Sequence, residues 1–208
     1  MKSCFSFLTP YQPNPTSANS VASKRESCYF TIRAAQTRDL NTLAEILTDS
    51  FHSKTGYMGW LYPILRLGIY EDLHSRLRSD SPYYFCLVAM AAASKVNSYP
   101  EEIVGTVEIA LRSPSYWHKD NYQYPYISNL AVSKIWRRHG LAQKLLLGCE
   151  EAAREWGFRH IYLHVLENNN QARKLYLKAG YTIHKVEPNY SFFWLGTPKR
   201  LFLQKQLN

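Results

Sequence analysis

With 208 residues, of which 46% are hydrophobic and 14% aromatic, the chain is long enough to bury the core of one globular domain. No apolar run approaches the roughly 20 residues of a membrane-spanning helix, so we predict no integral membrane protein. The net charge of +9 suits a polyanionic ligand. Basic runs never exceed two residues and no nucleic-acid-binding motif is present, so the charge favours an anionic cofactor over a nucleic-acid partner.

The cysteines predict neither a metal site nor disulfides. Cys4, Cys28, Cys86 and Cys149 form no C-x-x-C pair and have no histidine at metal-ligand spacing. Cys86 and Cys149 lie in apolar segments and are predicted to be small core residues of a protein in a reducing compartment. We predict the cytoplasm, with the plastid stroma as the alternative.

Residues 1–28 are predicted to be a disordered tail, because Pro10, Pro13 and Pro15 lie among Ser, Thr and Asn without any periodicity. The stretch has no acidic residue before Glu26, a feature of organelle transit peptides. A targeting segment and a plain disordered N-terminus both remain open.

Regular structure is predicted from Tyr29 onward. A strand over 29–35 precedes a helix that Thr37 can cap, and a second helix covers 65–78 after the break at Pro63. Strand-like runs at 83–93 and 101–112 predict a hairpin.

The second half of the chain alternates strands and helices. The predicted elements are a strand at 125–132, a helix at 141–156 ended by Gly157, a strand at 161–166, a helix at 170–180, and strands at 181–184 and 200–207. This order after a hairpin indicates an α/β (α+β) domain over 29–208, with a mixed sheet flanked by helices.

The turn R-R-H-G-L-A at 137–142 lies between the strand at 125–132 and the following helix. Free N–H groups and the dipole of a helix N-terminus attract anions, and a glycine lets the backbone approach a bulky one. The turn therefore predicts a phosphate or pyrophosphate site formed by the N–H groups of 138–142 and the charges of Arg137 and Arg138.

A second pattern follows, N-x-x-A-x-x-x-Y-x-x-x-G at Asn169, Ala172, Tyr176 and Gly180. Together with R-x-x-G-x-A, it resembles the GNAT superfamily of acyl-CoA-dependent N-acyltransferases, closely over 126–181. The resemblance implies a GNAT fold, in which a mostly antiparallel sheet splays between two parallel strands. It also implies acetyl-CoA as cosubstrate.

The resemblance further implies roles for individual residues. The turn would hold the pyrophosphate, main-chain groups of the strand would pair with the pantetheine arm, Asn169 would contact the cofactor, and Tyr176 would protonate the departing thiolate. The implied cofactor-binding residues are Leu130, Ala131, Val132, Arg137, Arg138, His139, Gly140, Leu141, Ala142, Asn169 and Tyr176.

The general base has two candidates. Many relatives use a strand glutamate, but the segment "PYISNLAV" contains none. Glu108 on the preceding strand is one candidate, or an ordinary outward-facing charge. Tyr126 and His164 resemble the pair that NatE-type N-terminal acetyltransferases use to draw a proton through ordered water. The alternative to a catalytic role is that His164 is a structural histidine, hydrogen-bonded within its strand.

A weak Tyr/His base favours an α-amine, with a pKa of about 7.7–8.0, over lysine, at about 10.4. The segment 49–73 resembles plant plastid and cyanobacterial members, some of which acetylate both lysines and N-termini. Aromatic residues (Tyr116, Trp117, Tyr122, Tyr124 and 190–196) could line a peptide groove or simply pack.

We therefore predict an acetyl-CoA-dependent N-acetyltransferase acting on a protein or peptide amine. A small-molecule amine acetyltransferase and a non-catalytic acyl-CoA sensor or RNA-binding module are the alternatives. The oligomeric state is open.

Overall fold

A computed structural model of the chain describes residues 7–9, 28–51, 61–79, 81–93, 101–113, 122–188 and 198–208. The predicted aromatic wall residues Tyr116, Trp117 and 190–196 lie outside these ranges. The elements are, in chain order, β1 (Phe7–Thr9), β2 (Cys28–Ala34), α1 (Leu40–Phe51), α2 (Tyr62–Arg78), β3 (Tyr84–Ala93), β4 (Glu102–Arg112), β5 (Tyr124–Val132), α3 (Leu141–Glu155), β6 (His160–Leu166), α4 (Asn170–Lys178), β7 (Thr182–Glu187) and β8 (Arg200–Gln206).

The strands of the described residues form one sheet in the order β1-β2-β3-β4-β5-β6-β8-β7. Every neighbouring pair is antiparallel except β5 and β6, which run parallel. The predicted α/β fold with a mixed, mostly antiparallel sheet is confirmed. Strand β1 lies within the stretch predicted to be disordered and pairs with β2. For the undescribed part of 1–28, disorder stays a prediction.

The sheet splays between β5 and β6, as the resemblance implies. These strands pair only at Tyr126–Tyr162 and Ile127–Leu163. Strand β5 then bulges, because two of its residues, Asn129 and Leu130, oppose the single residue Val107 of β4. Asn129 has φ +53° there, a left-handed conformation that asparagine tolerates. Within the described residues, the β6-facing edge of 128–132 has no strand partner.

Helices cover both faces of the sheet. Apolar residues of α1 at helical spacing are buried with Leu73 of α2 against one face. Helix α3 buries Leu145, Leu146 and Cys149 against the other face. It lies so close to β3 that a Cβ on Gly148 would come within 2.7 Å of Leu87 Cδ1.

Two helix starts differ from the predicted ones. A short 3-10 turn at Thr37–Asp39 precedes α1, so Thr37 is not its cap. Instead, Asp39 accepts a hydrogen bond from the Gln36 N–H at 2.7 Å and pairs with Arg33. Helix α2 begins at Tyr62, earlier than predicted, because Pro63 fits the first turn of a helix.

Cys86 and Cys149 are core residues, as predicted, with 3% and 0% of their surface exposed, and both are free thiols. Burial raises the pKa of Cys86 to about 12, and it also raises the pKa of Cys149. In the part of the chain that the structure describes, no helix is both long and apolar enough to cross a bilayer.

Candidate active site

The turn before α3 presents a row of free backbone donors. Gly140 has φ +78° and Arg138 has φ +71°. Lys144 is the first residue of α3 whose N–H reaches a helical acceptor, the Gly140 carbonyl at 3.1 Å. No described backbone carbonyl accepts from the N–H groups of 138–143. Nothing lies within 4 Å of the place where a Cβ on Gly140 would stand. These features fit an approaching pyrophosphate.

Arg137 also has a structural role that the sequence did not indicate. Its Nε donates to the Val132 carbonyl at 3.0 Å, which ties the turn to the end of β5. No described residue is hydrogen-bonded to the two terminal nitrogens of this exposed guanidinium, which can therefore bind an anion. Arg138 and His139 are exposed, and the His139 ring meets the Arg137 carbonyl at 3.0 Å. The side chain of Leu141 is buried in the core, so only its N–H can face a ligand.

Leu130, Ala131 and Val132 form the edge of β5 beside the opening of the sheet. On the other side of the strand, Ala131 and Val132 pair with Thr106 and Gly105 of β4. A side chain at position 105 would be crowded here, since a Cβ on Gly105 would stand 3.0 Å from the Ala131 carbonyl oxygen. Apart from the Val132 carbonyl, which accepts from Arg137, this edge can receive a ligand that carries amides, as a pantetheine arm does.

Asn169 caps α4, a function that the sequence motif alone did not reveal. Its Oδ1 accepts a hydrogen bond from the Ala172 N–H at 3.1 Å. Ala172 is half-buried on α4. The exposed carboxamide nitrogen of Asn169 is free for a ligand among the described residues.

Tyr176 projects from α4 into the core and is 8% exposed. Burial, together with the nearby Tyr126 and Cys149, raises the pKa of Tyr176 to about 12. Its hydroxyl has no hydrogen-bond partner among the described residues. Among the described residues, one side-chain polar atom is both fully buried and without a hydrogen-bond partner, and it is the Trp136 indole nitrogen rather than the Tyr176 hydroxyl. The Tyr176 hydroxyl therefore reaches solvent.

Tyr126 and His164 are brought together by the paired ends of β5 and β6. The Tyr126 hydroxyl lies 2.9 Å from His164 Nδ1. Arg112 covers the Tyr126 ring, with Cζ 3.6 Å from the ring centroid. Burial lowers the pKa of His164 below its ordinary value, and Arg200 and Arg112 lower it further, against the opposing effect of Glu187. The imidazole is therefore neutral at pH 7 and able to accept a proton.

Glu108 has a different environment from that of a surface charge. It is 1% exposed, and its carboxylate accepts from Tyr84 at 3.0 Å and from Asn129 at 2.6 Å. Arg76 of α2 lies 2.9 Å from the same group. An outward-facing charge is excluded, and no described contact joins Glu108 to Tyr126 or His164. Its oxygens are occupied in holding α2 and the β5 bulge against β4.

Two site residues were missed at the level of sequence. Arg112 lies at the end of β4, where a charge at a strand end carries no distinctive signal. Glu187 of β7 has its Oε2 3.1 Å from His164 Nε2. It faces His164 because of a bulge in β7 that the sequence pattern does not predict. No group of three or more His, Cys, Asp or Glu side chains that could hold a metal ion occurs among the described residues.

Comparison with protein families gives a match to the Acetyltransferase (GNAT) family over residues 40–181. GCN5-related N-acetyltransferase 10, chloroplastic, from Arabidopsis thaliana is 26% identical over 82% of this chain and 68% of that protein. GCN5-related N-acetyltransferase 7, chloroplastic, from the same plant is 30% identical over 64% of this chain and 47% of that protein. The chain thus spans about two thirds of one relative and about half of the other.

Solved structures share the fold. The PaiA N-acetyltransferase of Thermoplasma acidophilum in complex with coenzyme A has a TM-score of 0.61 and 20% identity, covering 85% of this chain and 98% of that one. The NatC complex bound to Gag peptide and coenzyme A has a TM-score of 0.57 and 17% identity, covering 86% and 99%. The family match and the splayed sheet agree: the chain belongs to the GNAT family of acetyltransferases, which use acetyl-CoA as cosubstrate.

Proposed function

We propose that the protein transfers acetyl from acetyl-CoA to the α-amine of a protein or peptide N-terminus. The observation that carries this proposal is the hydrogen bond between Tyr126 and His164, because it offers a weak base beside the opening of the sheet. A weak base suits an α-amine, whose pKa lies about 2.5 units below that of lysine. Lysine side chains are the second acceptor class.

In the proposed reaction, the N–H groups of 138–143 and the free edge of β5 hold the cosubstrate with its thioester at the opening. The amine nitrogen forms a bond to the thioester carbonyl carbon, and the carbon–sulfur bond breaks. Tyr176 gives its phenolic proton to the departing sulfur and regains one from solvent. The proton lost by the amine passes to Tyr126 as the Tyr126 proton passes to His164. No covalent acyl-enzyme forms.

Glu108 is the weaker candidate for the base. Its carboxylate is already engaged by Tyr84, Asn129 and Arg76, and no described contact joins it to Tyr126 or His164. His164 combines neutrality with a direct link to Tyr126.

The aromatic surface beside the relay supports a peptide acceptor. Tyr162 stacks on Phe202 with ring centroids 5.2 Å apart, and Tyr124 meets the Tyr162 ring at 5.1 Å. All three rings are half-buried, which leaves apolar surface next to His164 for a side chain. Among structures with this fold, the NatC complex is one that binds a peptide.

For the compartment we propose the plastid stroma, which was the alternative to the cytoplasm. The support is that several relatives are chloroplastic proteins of Arabidopsis thaliana.

The test measures free thiol released from acetyl-CoA with three matched acceptors. These are a lysine-free peptide with an open N-terminus, an N-blocked peptide with one lysine, and spermidine. We expect the highest kcat/KM with the open N-terminus. Comparable rates with both peptides would widen the proposal to lysines, and turnover with spermidine alone would overturn it.

A further inference from the structure

Glu187 stands out on an edge strand that is otherwise exposed. All of the preceding residues of β7, from Thr182 to Val186, are exposed, whereas Glu187 is half-buried at the end of the strand. Its carboxylate accepts from His164 Nε2 at 3.1 Å. Partial burial opposes ionisation, but the His164 hydrogen bond and the Lys185 charge outweigh it and keep the pKa of Glu187 below its usual value.

A bulge in β7 aims Glu187 at His164. Ile183 pairs with Leu203 and Lys185 pairs with Phe202, so His184 is an extra residue. Without it, Glu187 would oppose residue 199 and point to the other face of the sheet, since side chains alternate along a strand. With it, Glu187 opposes Arg200, on the same face as Phe202, which in turn opposes His164.

The two contacts of the imidazole decide where its proton lies. An ionised carboxylate can only accept hydrogen bonds, so His164 Nε2 must carry the hydrogen. Nδ1 is then a bare acceptor, and the Tyr126 hydroxyl donates to it. A tyrosine that donates in this direction keeps its oxygen lone pairs free for a proton from outside.

We propose that Glu187 is a positioning residue that holds His164 in the Nε2–H tautomer and so sets the direction of proton transfer through Tyr126. Its effect on catalysis rests on the proposed function, but the tautomer itself does not. When His164 Nδ1 takes the Tyr126 proton, Tyr126 takes one from the amine, so the tyrosine stays neutral and the charge ends on His164. Glu187 then stabilises the imidazolium, much as the third member of a Ser-His-Asp triad does.

Other charges around His164 act in the opposite sense. Arg112 of β4 and Arg200 of β8 disfavour the imidazolium. Lys185 of β7 lies 3.5 Å from the Glu187 carboxylate and weakens its field. The other described contacts of the imidazole are the Tyr126 hydroxyl of β5 and the uncharged Phe202 ring of β8. Among these groups, Glu187 is the one that favours a protonated His164.

The tautomer can be measured without turnover. In the full-length protein with 15N-labelled histidine, the nitrogen shifts of His164, assigned by their loss in His164→Gln, report which nitrogen carries the hydrogen. We expect Nε2–H in the wild type and a mixture in Glu187→Ala. Glu187→Asp, which keeps a carboxylate, should restore part of the preference. A wild-type proton on Nδ1 would overturn the proposal.

The pH profile of kcat gives the second readout. Because Glu187 favours the charged imidazole, Glu187→Ala should move the acidic limb to lower pH by about one unit and lower the plateau. Glu155→Ala removes an exposed carboxylate of α3 and is the matched control, expected to change neither.

The two proposals fail in different ways. If the acidic limb of the kcat pH profile stays in place in Glu187→Ala and the wild-type tautomer is retained, Glu187 is only a structural contact. If the tautomer responds as expected but no amine is acetylated, the positioning role stands and the proposed function fails.

Discussion

At the level of single residues, Tyr176 provides the sharpest prediction. Its neutral hydroxyl reaches solvent without a partner among the described residues, so its removal should cost little stability. We expect Tyr176→Phe to lower kcat by about 10²-fold or more, since that is the usual contribution of a general acid. The affinity for coenzyme A, measured by calorimetry, should be unchanged.

Tyr181 provides the matched control for that variant. Its ring centroid is 5.9 Å from that of Tyr176, and its hydroxyl donates to the buried Glu150 at 3.3 Å. Tyr181→Phe should therefore lower the thermal midpoint while kcat per folded molecule stays near wild type. A Tyr176→Phe enzyme with wild-type kcat would remove Tyr176 from the mechanism.

Residue types and strand alternation predicted part of the site. Tyr126 and His164 were paired by their resemblance to NatE-type enzymes, with alternation along parallel strands allowing both side chains to enter one cleft, and the structure has them hydrogen-bonded. Glu187 could not be found in this way, because the bulge at His184 reverses the alternation. Glu108 was read as a base or a surface charge, since its partner Arg76 lies 32 positions earlier and only the fold joins them.

At the level of elements, Gly68 of α2 and Gly148 of α3 differ in how much space surrounds them. A Cβ on Gly148 of α3 would stand 2.7 Å from Leu87 Cδ1, whereas nothing lies within 4 Å of one on Gly68 of α2. We expect Gly148→Ala to destabilise the fold by about 1–3 kcal/mol through overpacking. Gly68→Ala should stabilise it by up to about 1 kcal/mol through helix propensity.

Denaturant unfolding of both variants measures this difference. Because each adds the same methyl group to a helix, propensity cancels in the comparison and packing remains. A stabilised Gly148→Ala would mean that Leu87 moves aside at little cost.

Periodicity predicted the types of the elements better than their ends. The apolar spacing of α1 and α3 matches the buried faces that the structure shows. The starts of α1 and α2 were misplaced, because an aspartate that pairs with Arg33 and a proline in a first turn decide them locally. The splay between β5 and β6 was predicted only from the motif resemblance, because the hydropathy pattern of the strands does not indicate it.

At the level of the whole molecule, the charge of +9 bears on how the cosubstrate is bound. Arg137 and Arg138 are exposed at the turn, so their attraction for a pyrophosphate is screened by salt. We expect the Kd for coenzyme A to rise as NaCl increases from low to physiological concentration. Pantetheine lacks the phosphates and is the control, whose Kd should be insensitive to salt. A salt-independent Kd for coenzyme A would argue against the turn as the pyrophosphate site.

The two residue pairs that join β5 to β6 divide the sheet into a group of five strands and a group of three. Tyr126 belongs to the first group, and His164 and Glu187 belong to the second. The 2.9 Å hydrogen bond between Tyr126 and His164 therefore joins the two groups of strands, and its length depends on how far apart β5 and β6 lie. A compound bound between β5 and β6, away from Tyr126 and His164, would move the two groups of strands apart. On the proposed mechanism it would interrupt proton transfer by lengthening this hydrogen bond, without contacting either side chain.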